Sequence, residues 1–253
     1  MNPWLSAHVT SEAKLDLFRN GQDIYKVNAY RTFHVPVEEV TDDQRQIGKV
    51  QELACGYGGS IGAFAAMGRI YGVLLPESEV RRMVDAWRRA NPWAVDYWDA
   101  LEGAYMRAMR NPKHEFAAGR VVYMFDGLHL WYALPSGRVL CYPYAKIDSD
   151  GVSYAKASWK PAADAKEWPR ARLWVGVAAE NVTQATANDI LRHSLRQFND
   201  IILHCHDEII REVPQDKAEE AAQKLKKVMC TPPEWAQGLP LNAEVKIMGR
   251  YGK

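Results

Sequence analysis

Two stretches of this 253-residue sequence set reactive side chains at spacings that chemistry could use. In the first, Arg45, Lys49, Leu53 and Tyr57 recur every four residues. On a helix of 3.6 residues per turn, successive members stand only about 40° apart around the axis. One stripe then carries a guanidinium fork suited to phosphate oxygens, a mobile ammonium, an apolar residue and an aromatic ring able to stack on a base or sugar. The competing reading is a solvated charged face with a core tyrosine, since charged stripes on helices are common. Spacing alone does not choose between them.

The second stretch, Ile201-Ile202-Leu203-His204-Cys205-His206-Asp207-Glu208-Ile209-Ile210, sets two adjacent carboxylates between two apolar runs. Acids so placed cost desolvation free energy unless they are paired or bind a cation. Mg²⁺ accepts one or two carboxylates together with water and substrate phosphates, so an aspartate at a hairpin bend suits it. Two such ions about 4 Å apart could activate a nucleophile and steady a leaving oxygen. A zinc site is one alternative, but strand alternation turns residues 204 and 206 to one face and 205 to the other, with no second ligand pair in view. A plain polar turn is the other.

Both stretches need elements to hold them. Residues from about Glu12 to Phe33 predict two short helices broken near Gly21. Thr41-Asp42-Asp43-Gln44 is a capping-box signature, opening a helix that must end at Gly56, Gly58 and Gly59. Further helices are predicted from Ser60 to about Tyr71, from Pro76 to before Pro92, and from Pro92 to about Arg110. The run RVVYMFDGLHLWYALPSGRVLCYPY then predicts three strands joined at Asp126-Gly127 and Pro135-Ser136-Gly137. A helix from Glu180 to about Phe198 leads to the Asp207 hairpin, and a helix over 216–229 and a strand over 243–247 close the chain. The class is α+β.

Composition sets bounds without pointing to these sites. Apolar residues make up 47% and charged residues 25%, as in ordinary globular domains. No apolar run approaches the roughly 20 residues of a membrane helix, and the N-terminus lacks a signal-peptide pattern. The cytoplasm is the expected compartment, with no membrane partner. The four cysteines form no CxxC pair, which suggests neither a zinc knuckle nor a disulfide framework. A net charge of +1 is low for a self-sufficient nucleic-acid binder, so any phosphate-binding surface must be local or completed by another chain. Arg81, Arg82, Arg88 and Arg89 form a second basic feature that could touch a DNA backbone, although ordinary helix surface is the simpler reading. The nine tryptophans read as packing residues.

Taken together, the motifs resemble family A DNA polymerases. RQIGKVQELACGYG is similar to motif B, the O helix, and CHDEIIREVP to motif C. ENVTQATANDIL resembles the helix before motif C, and LPSGRVLCYP resembles the phage branch of the family. The likeness runs from about Ala7 to the C-terminus, and three ordered motifs are more specific than any one. It implies an incomplete right-hand polymerase fold: helical fingers over 1–110 with motif B at 45–58, and over 111–253 a partial palm of antiparallel sheet with motif C at 206–208. It further implies that Arg45 and Lys49 hold the phosphates of an incoming dNTP, with Lys49 protonating the departing pyrophosphate. Tyr25 stands at a phosphate-binding position usually held by histidine, and its hydroxyl can donate one hydrogen bond. The resemblance places Leu53 where many members carry Phe or Tyr, so sugar discrimination there would differ, which implies weak use of dideoxynucleotides. Tyr57 and Gly58 fall at the template-base end of the helix, and Gln184 and His206 at the primer–template DNA. Asp207 and Glu208 would bind Mg²⁺.

The departures carry equal weight. Glu180 stands where an asparagine is usual, leaving that DNA contact open. Family members bear motif A, an Asp-Tyr/Phe-Ser-x-Ile-Glu strand, just ahead of the segment matched by AHVTSEAKLDLF. Counting back from Ala7, its aspartate falls before Met1 and its glutamate near Asn2. The resemblance therefore implies only half of a two-metal site in this sequence, and a chain inactive alone. A separate N-terminal chain carrying motif A, thumb and exonuclease is the expected complement, acting in a bacterial host's cytoplasm if phage-encoded. A truncated inactive remnant and a non-catalytic nucleotide- or nucleic-acid-binding module are the alternatives.

Overall fold

Caps and glycines cut the first part of the chain into helices. The computed structural model describes residues 1–7, 11–156 and 168–252, so 8–10 of the AHVTSEAKLDLF match lie outside the described residues. The helices are α1 (Pro3–Ser6), α2 (Glu12–Arg19), α3 (Ile24–Phe33), α4 (Asp42–Cys55), α5 (Ile61–Tyr71), α6 (Glu77–Ala90) and α7 (Pro92–Arg110). Asp23 opens α3, its Oδ1 accepting from the Tyr25 and Lys26 amides at 2.9 and 3.3 Å. At α4 the expected capping box is complete, with the Gln44 amide donating to Thr41 Oγ1 and the Thr41 amide to Gln44 Oε1. Gly48 lets α3 and α4 touch, because a Cβ there would overlap the Tyr25 carbonyl oxygen.

The strands that follow are all antiparallel. β1 (Glu115–Ala118), β2 (Val121–Phe125), β3 (Leu130–Ala133) and β4 (Val139–Tyr142) form a four-stranded meander in that order. The two turns between β2, β3 and β4 fall where expected, with Gly127 and Gly137 at φ of 105° and 81°. β1 extends this sheet beyond the three predicted strands. A three-stranded sheet of β5 (Lys146–Asp148), β6 (Gly151–Ala155) and β7 (Arg170–Leu173) was not legible in the sequence. β5 is exposed throughout and shows no apolar alternation. Arg172 bonds Asp148 and Asp150 there, at 2.7 and 3.0 Å.

α8 (Val175–Leu195) begins five residues before the predicted start and stops three short of Phe198. Its opening is apolar and packed, with Ala178, Ala179 and Val182 fully buried, so an amphipathic period is absent there. β8 (Ile201–Cys205) and β9 (Glu208–Arg211) make the expected hairpin, and α9 (Ala218–Cys230) follows. The predicted strand at 243–247 does not form. Residues 241, 243 and 245 are half-buried and 242, 244 and 246 exposed, the alternation of a strand, yet no ladder includes them. A strand exists by pairing, and no described strand pairs with this segment.

Packing divides the chain into two compact units, Met1–Thr183 and Gln184–Lys253. In the first, α7 lies against β1, β2 and β3, so the helices through Arg110 and the sheets after it share one unit. Its core stacks Trp87 on Trp98 and runs edge to face from Tyr105 to Tyr123, then on to Tyr132 and Tyr142. Trp168 and Trp174, by contrast, are exposed rather than packed. In the second unit Leu191, Phe198, Ile209 and Leu225 form the core, with Ile201 and Val245 against it. Arg211 ties the hairpin down, bonding Asp200 through two nitrogens at 2.8 and 2.6 Å and donating to the Ala221 carbonyl. Among the described residues no helix is long and apolar enough to cross a membrane.

Candidate functional site

Arg45 and Lys49 emerge from α4 under different constraints. Arg45 Nε donates to Asp23 Oδ2 at 2.6 Å, and its guanidinium lies 5.2 Å from the Tyr25 ring centre. That bond uses one nitrogen, leaving the two Nη groups for an anion. Burial would raise the Asp23 carboxyl, but the Arg45 hydrogen bond and the α3 amides hold it below its ordinary value. Lys49 Nζ sits 4.4 Å from the Tyr71 ring centre and has no carboxylate partner among the described residues. A cation–π contact steadies the ammonium without neutralising it. Burial, then the Glu52 charge, push the Tyr25 phenol above its usual range, so its hydroxyl stays a donor. Leu53 is half-buried on the same helix.

Beneath the stripe sits a carboxylate that no motif marks. Glu52 Oε2 accepts from Lys14 Nζ at 3.0 Å, Asn28 Nδ2 at 2.7 Å and Trp87 Nε1 at 2.8 Å. Burial alone would raise its pKa, but the Lys14 charge and the three hydrogen bonds hold it below the ordinary value. One oxygen thereby joins α2, α3, α4 and α6 and fixes the helix that carries Arg45 and Lys49. Asp23, Gly48, Glu52 and Tyr71 are thus positioning residues that spacing did not single out. Only Gly48, a glycine in mid-helix, carried a visible signal.

Tyr57 departs from the predicted stripe. α4 ends at Cys55, and the Gly58 amide closes the following turn onto the Cys55 carbonyl at 3.0 Å. The ring therefore belongs to a glycine turn, and the helical stripe holds three residues, not four. Gly58 has φ of 75° and lies against Trp174 and Val175, and a Cβ on Gly176 would overlap the Tyr57 carbonyl. Burial and the nearby Glu180 charge raise the Tyr57 phenol pKa, so Glu180 is a neighbour of this turn.

In the second unit, His206 and Asp207 form the two-residue loop between β8 and β9, with His206 at φ of 53°. This left-handed geometry is uncommon for a side chain with Cβ, though histidine adopts it more readily than most. Asp207 is exposed at the tip without a hydrogen-bonding or ionic partner among the described residues, while half-buried Glu208 accepts a bond from the Tyr251 hydroxyl at 3.3 Å. Gln184 is exposed on α8. No three His, Cys, Asp or Glu side chains among the described residues group as a metal site. Asp207 and Glu208 match what Mg²⁺ takes from one side, a pair of hard oxygens with room for water and phosphate. Tyr25, Arg45, Lys49, Leu53, Tyr57 and Gly58 fall in the first unit, and Gln184, His206, Asp207 and Glu208 in the second.

No family model matches the chain. Its sequence is 34% identical over 257 residues to the DNA polymerase of Bacillus phage SP02, a match covering 99% of this chain and 39% of that protein. It is 25% identical over 236 residues to DNA polymerase I of Pseudomonas aeruginosa, covering 89% and 21% respectively. The fold matches the POL domain of Pol1 from M. smegmatis, solved in complex with DNA primer-template and dNTP, with a TM-score of 0.59 and 19% identity. That match covers 96% of this chain and 36% of the solved one. The chain spans about two fifths of the phage relative and one fifth of the bacterial one.

Proposed function

We propose that this chain, similar along nearly its whole length to the C-terminal part of family A DNA polymerases, supplies the nucleotide-binding helix and the motif C carboxylates of a DNA-synthesising enzyme. The observation that carries the reading is the pair of cations one turn apart on α4. Among the described residues Arg45 keeps two free nitrogens, and Lys49 is held by an aromatic face with no carboxylate to neutralise it. A helix surface built only for solubility has no need to fasten its neighbour, Glu52, with three part-buried hydrogen bonds. Phosphoryl transfer asks for positioning and charge neutralisation more than covalent chemistry, and this helix provides both.

In this reading Arg45 and Lys49 hold the dNTP phosphates, Tyr25 donates one hydrogen bond to them, and Lys49 hands a proton to the departing pyrophosphate. Leu53 packs against the sugar. Tyr57 and Gly58 border the template base, while Gln184 and His206 contact the primer–template. Asp207, assisted by Glu208, would hold Mg²⁺, which when bound activates the primer hydroxyl and neutralises charge on the phosphates. Two-metal chemistry needs a second strand of acids, and no Asp-Tyr/Phe-Ser-x-Ile-Glu run occurs in these 253 residues. That strand would come from outside these 253 residues, and a companion polypeptide carrying it can be supplied in trans. The two-stranded β8–β9 sheet, the exposed Ile202 and Leu203 on it, and the unpaired alternation at 241–246 support an incoming strand.

Primer extension tests the proposal with this chain alone and with a companion polypeptide bearing an Asp-Tyr/Phe-Ser-x-Ile-Glu strand. Extension only in the mixture, abolished by Asp207→Ala, is expected. Extension by the lone chain would overturn the need for a second acid strand from outside these residues. Failure of extension in both cases, with no primer–template binding, would leave an inactive remnant. Binding of primer–template or dNTP without extension would mark a non-catalytic module.

A further inference from the structure

The arginine-rich helix α6 breaks up, in three dimensions, into side chains with different surroundings. Arg81 pairs with Glu77 at 3.0 Å, and Arg88 donates to the Gly59 carbonyl at 3.3 Å. Arg82 and Arg89 instead line a cavity of about 600 Å³ between α3 and α6, opposite Arg31 and His34. None of these last four has a hydrogen-bond or ionic partner among the described residues, and no Asp or Glu lines the cavity. Three unpaired guanidiniums in one place are not a reflection of composition, since the chain carries 32 basic and 31 acidic residues. Arg19, Arg81, Arg172 and Arg211 pair with carboxylates, whereas these three share one cavity with no acidic side chain in its lining.

The cavity floor is buried and hydrogen-bonded. Asn28, Gln51, Met83 and Trp87 are each at most 3% exposed. Gln51 donates to the Met83 carbonyl at 2.7 Å and accepts from the Thr32 hydroxyl at 3.2 Å. Gln51 also places the cavity, because it stands about 200° around the α4 axis from Lys49. The cavity therefore lies on the far side of α4 from the candidate nucleotide site and is a separate feature.

Its geometry selects the ligand. Arg82 and Arg89 are seven residues apart, about 10 Å along the helix, with Arg31 facing them from α3. Cations spread over that length can meet successive phosphates of one strand. The volume suits a small ligand or a short stretch of one strand. Trp87 is buried in the floor and cannot stack with a base, so recognition rests on the phosphates alone. We propose that this cavity, rimmed by Arg31, Arg82 and Arg89, binds the backbone of single-stranded DNA independently of base sequence. The proposal goes beyond the polymerase reading and does not depend on Asp207.

The test uses the full chain and a fluorescein-labelled oligothymidylate, with binding followed by anisotropy across a salt series. For Arg31→Gln/Arg82→Gln/Arg89→Gln, the slope of log K on log salt should fall by about 2, at roughly 0.7 for each single-strand phosphate that the variant no longer neutralises. Affinity at low salt should fall at least tenfold. Should the triple variant fail to fold, Arg82→Gln and Arg89→Gln singly should each lower the slope by about 0.7. Unchanged affinity and slope in the folded variants would overturn the proposal. So would displacement of the oligonucleotide by equimolar inorganic pyrophosphate, which would make this a site for free polyphosphate. Primer extension by the complemented enzyme is read in parallel, so loss of strand binding with extension intact, or the reverse, tells which reading failed.

Discussion

Replacing Lys14 with methionine should separate the charge of the buried Glu52 network from its packing. Lys14 and Glu52 lie 3.0 Å apart with side chains only 5% and 11% exposed. Methionine keeps most of the apolar stem, so the volume change is small. What disappears is the charge that, after burial itself, most strongly sets the Glu52 carboxyl. Breaking a buried pair by removing one partner costs about 3–5 kcal/mol, a large fraction of the roughly 5–15 kcal/mol that holds a domain folded. In the parent chain the Glu52 pKa is depressed on folding. Its stabilisation is therefore complete above the unfolded carboxylate pKa of about 4.3 and is lost as pH falls through the lower folded value. In Lys14→Met the sign reverses: burial dominates, the folded pKa rises, and the variant's deficit narrows as acid protonates Glu52. Urea unfolding followed by tryptophan fluorescence at neutral and acid pH measures both numbers, with the denaturant slope as a check that the unfolded state is unchanged. A deficit below about 1 kcal/mol at neutral pH, or one that widens on acidification, would refute the reasoning.

Gly48→Ala should force α3 from α4, since its Cβ would meet the Tyr25 carbonyl; we expect a loss of about 1–3 kcal/mol or more, seen as a lowered Tm, and an unchanged Tm would show that the helices yield freely. Asp23 caps α3 and also pairs with Arg45, and two substitutions divide these roles. Asp23→Asn keeps the cap and should cost under about 0.5 kcal/mol, because the pair is part-exposed, while Asp23→Ala should cost about 1 kcal/mol more. Equal losses in chemical unfolding would remove the cap from the account. In the complemented enzyme, dideoxynucleotides should be used poorly, and Leu53→Tyr should raise their incorporation relative to deoxynucleotides about tenfold, the scale of one hydrogen bond. A ratio unmoved in competitive primer extension would take Leu53 away from the sugar.

Local chemistry determined much of this protein before any coordinates. Thr41 and Gln44 satisfy the first amides of α4 whatever surrounds them, and Gly56, Gly58 and Gly59 end it because no partner is needed for a glycine to leave a helix. The β2–β4 turns and the His206-Asp207 loop are equally local. Segments whose state depends on a partner were not legible. The alternation at 241–246 is a real signal of one buried face, but a strand also needs a neighbour's hydrogen bonds, and none of the described strands supplies them. β5–β7 are joined in part through arginine–carboxylate bonds spanning more than twenty residues, so no local period announced them. The same division runs through the sites. Arg45, Lys49, Asp207 and Glu208 stood out as candidates because reactive side chains at a fixed spacing are a sequence property. Only tertiary packing decided that Asp23 takes one Arg45 nitrogen, that Tyr71 lies by Lys49, and that Tyr57 leaves the helical stripe for a turn beside Glu180. It also decided that two of four clustered arginines are engaged while the other two face Arg31 across a cavity. Charge and burial at each of these points are set by residues distant in the chain, and folding alone brings them within reach.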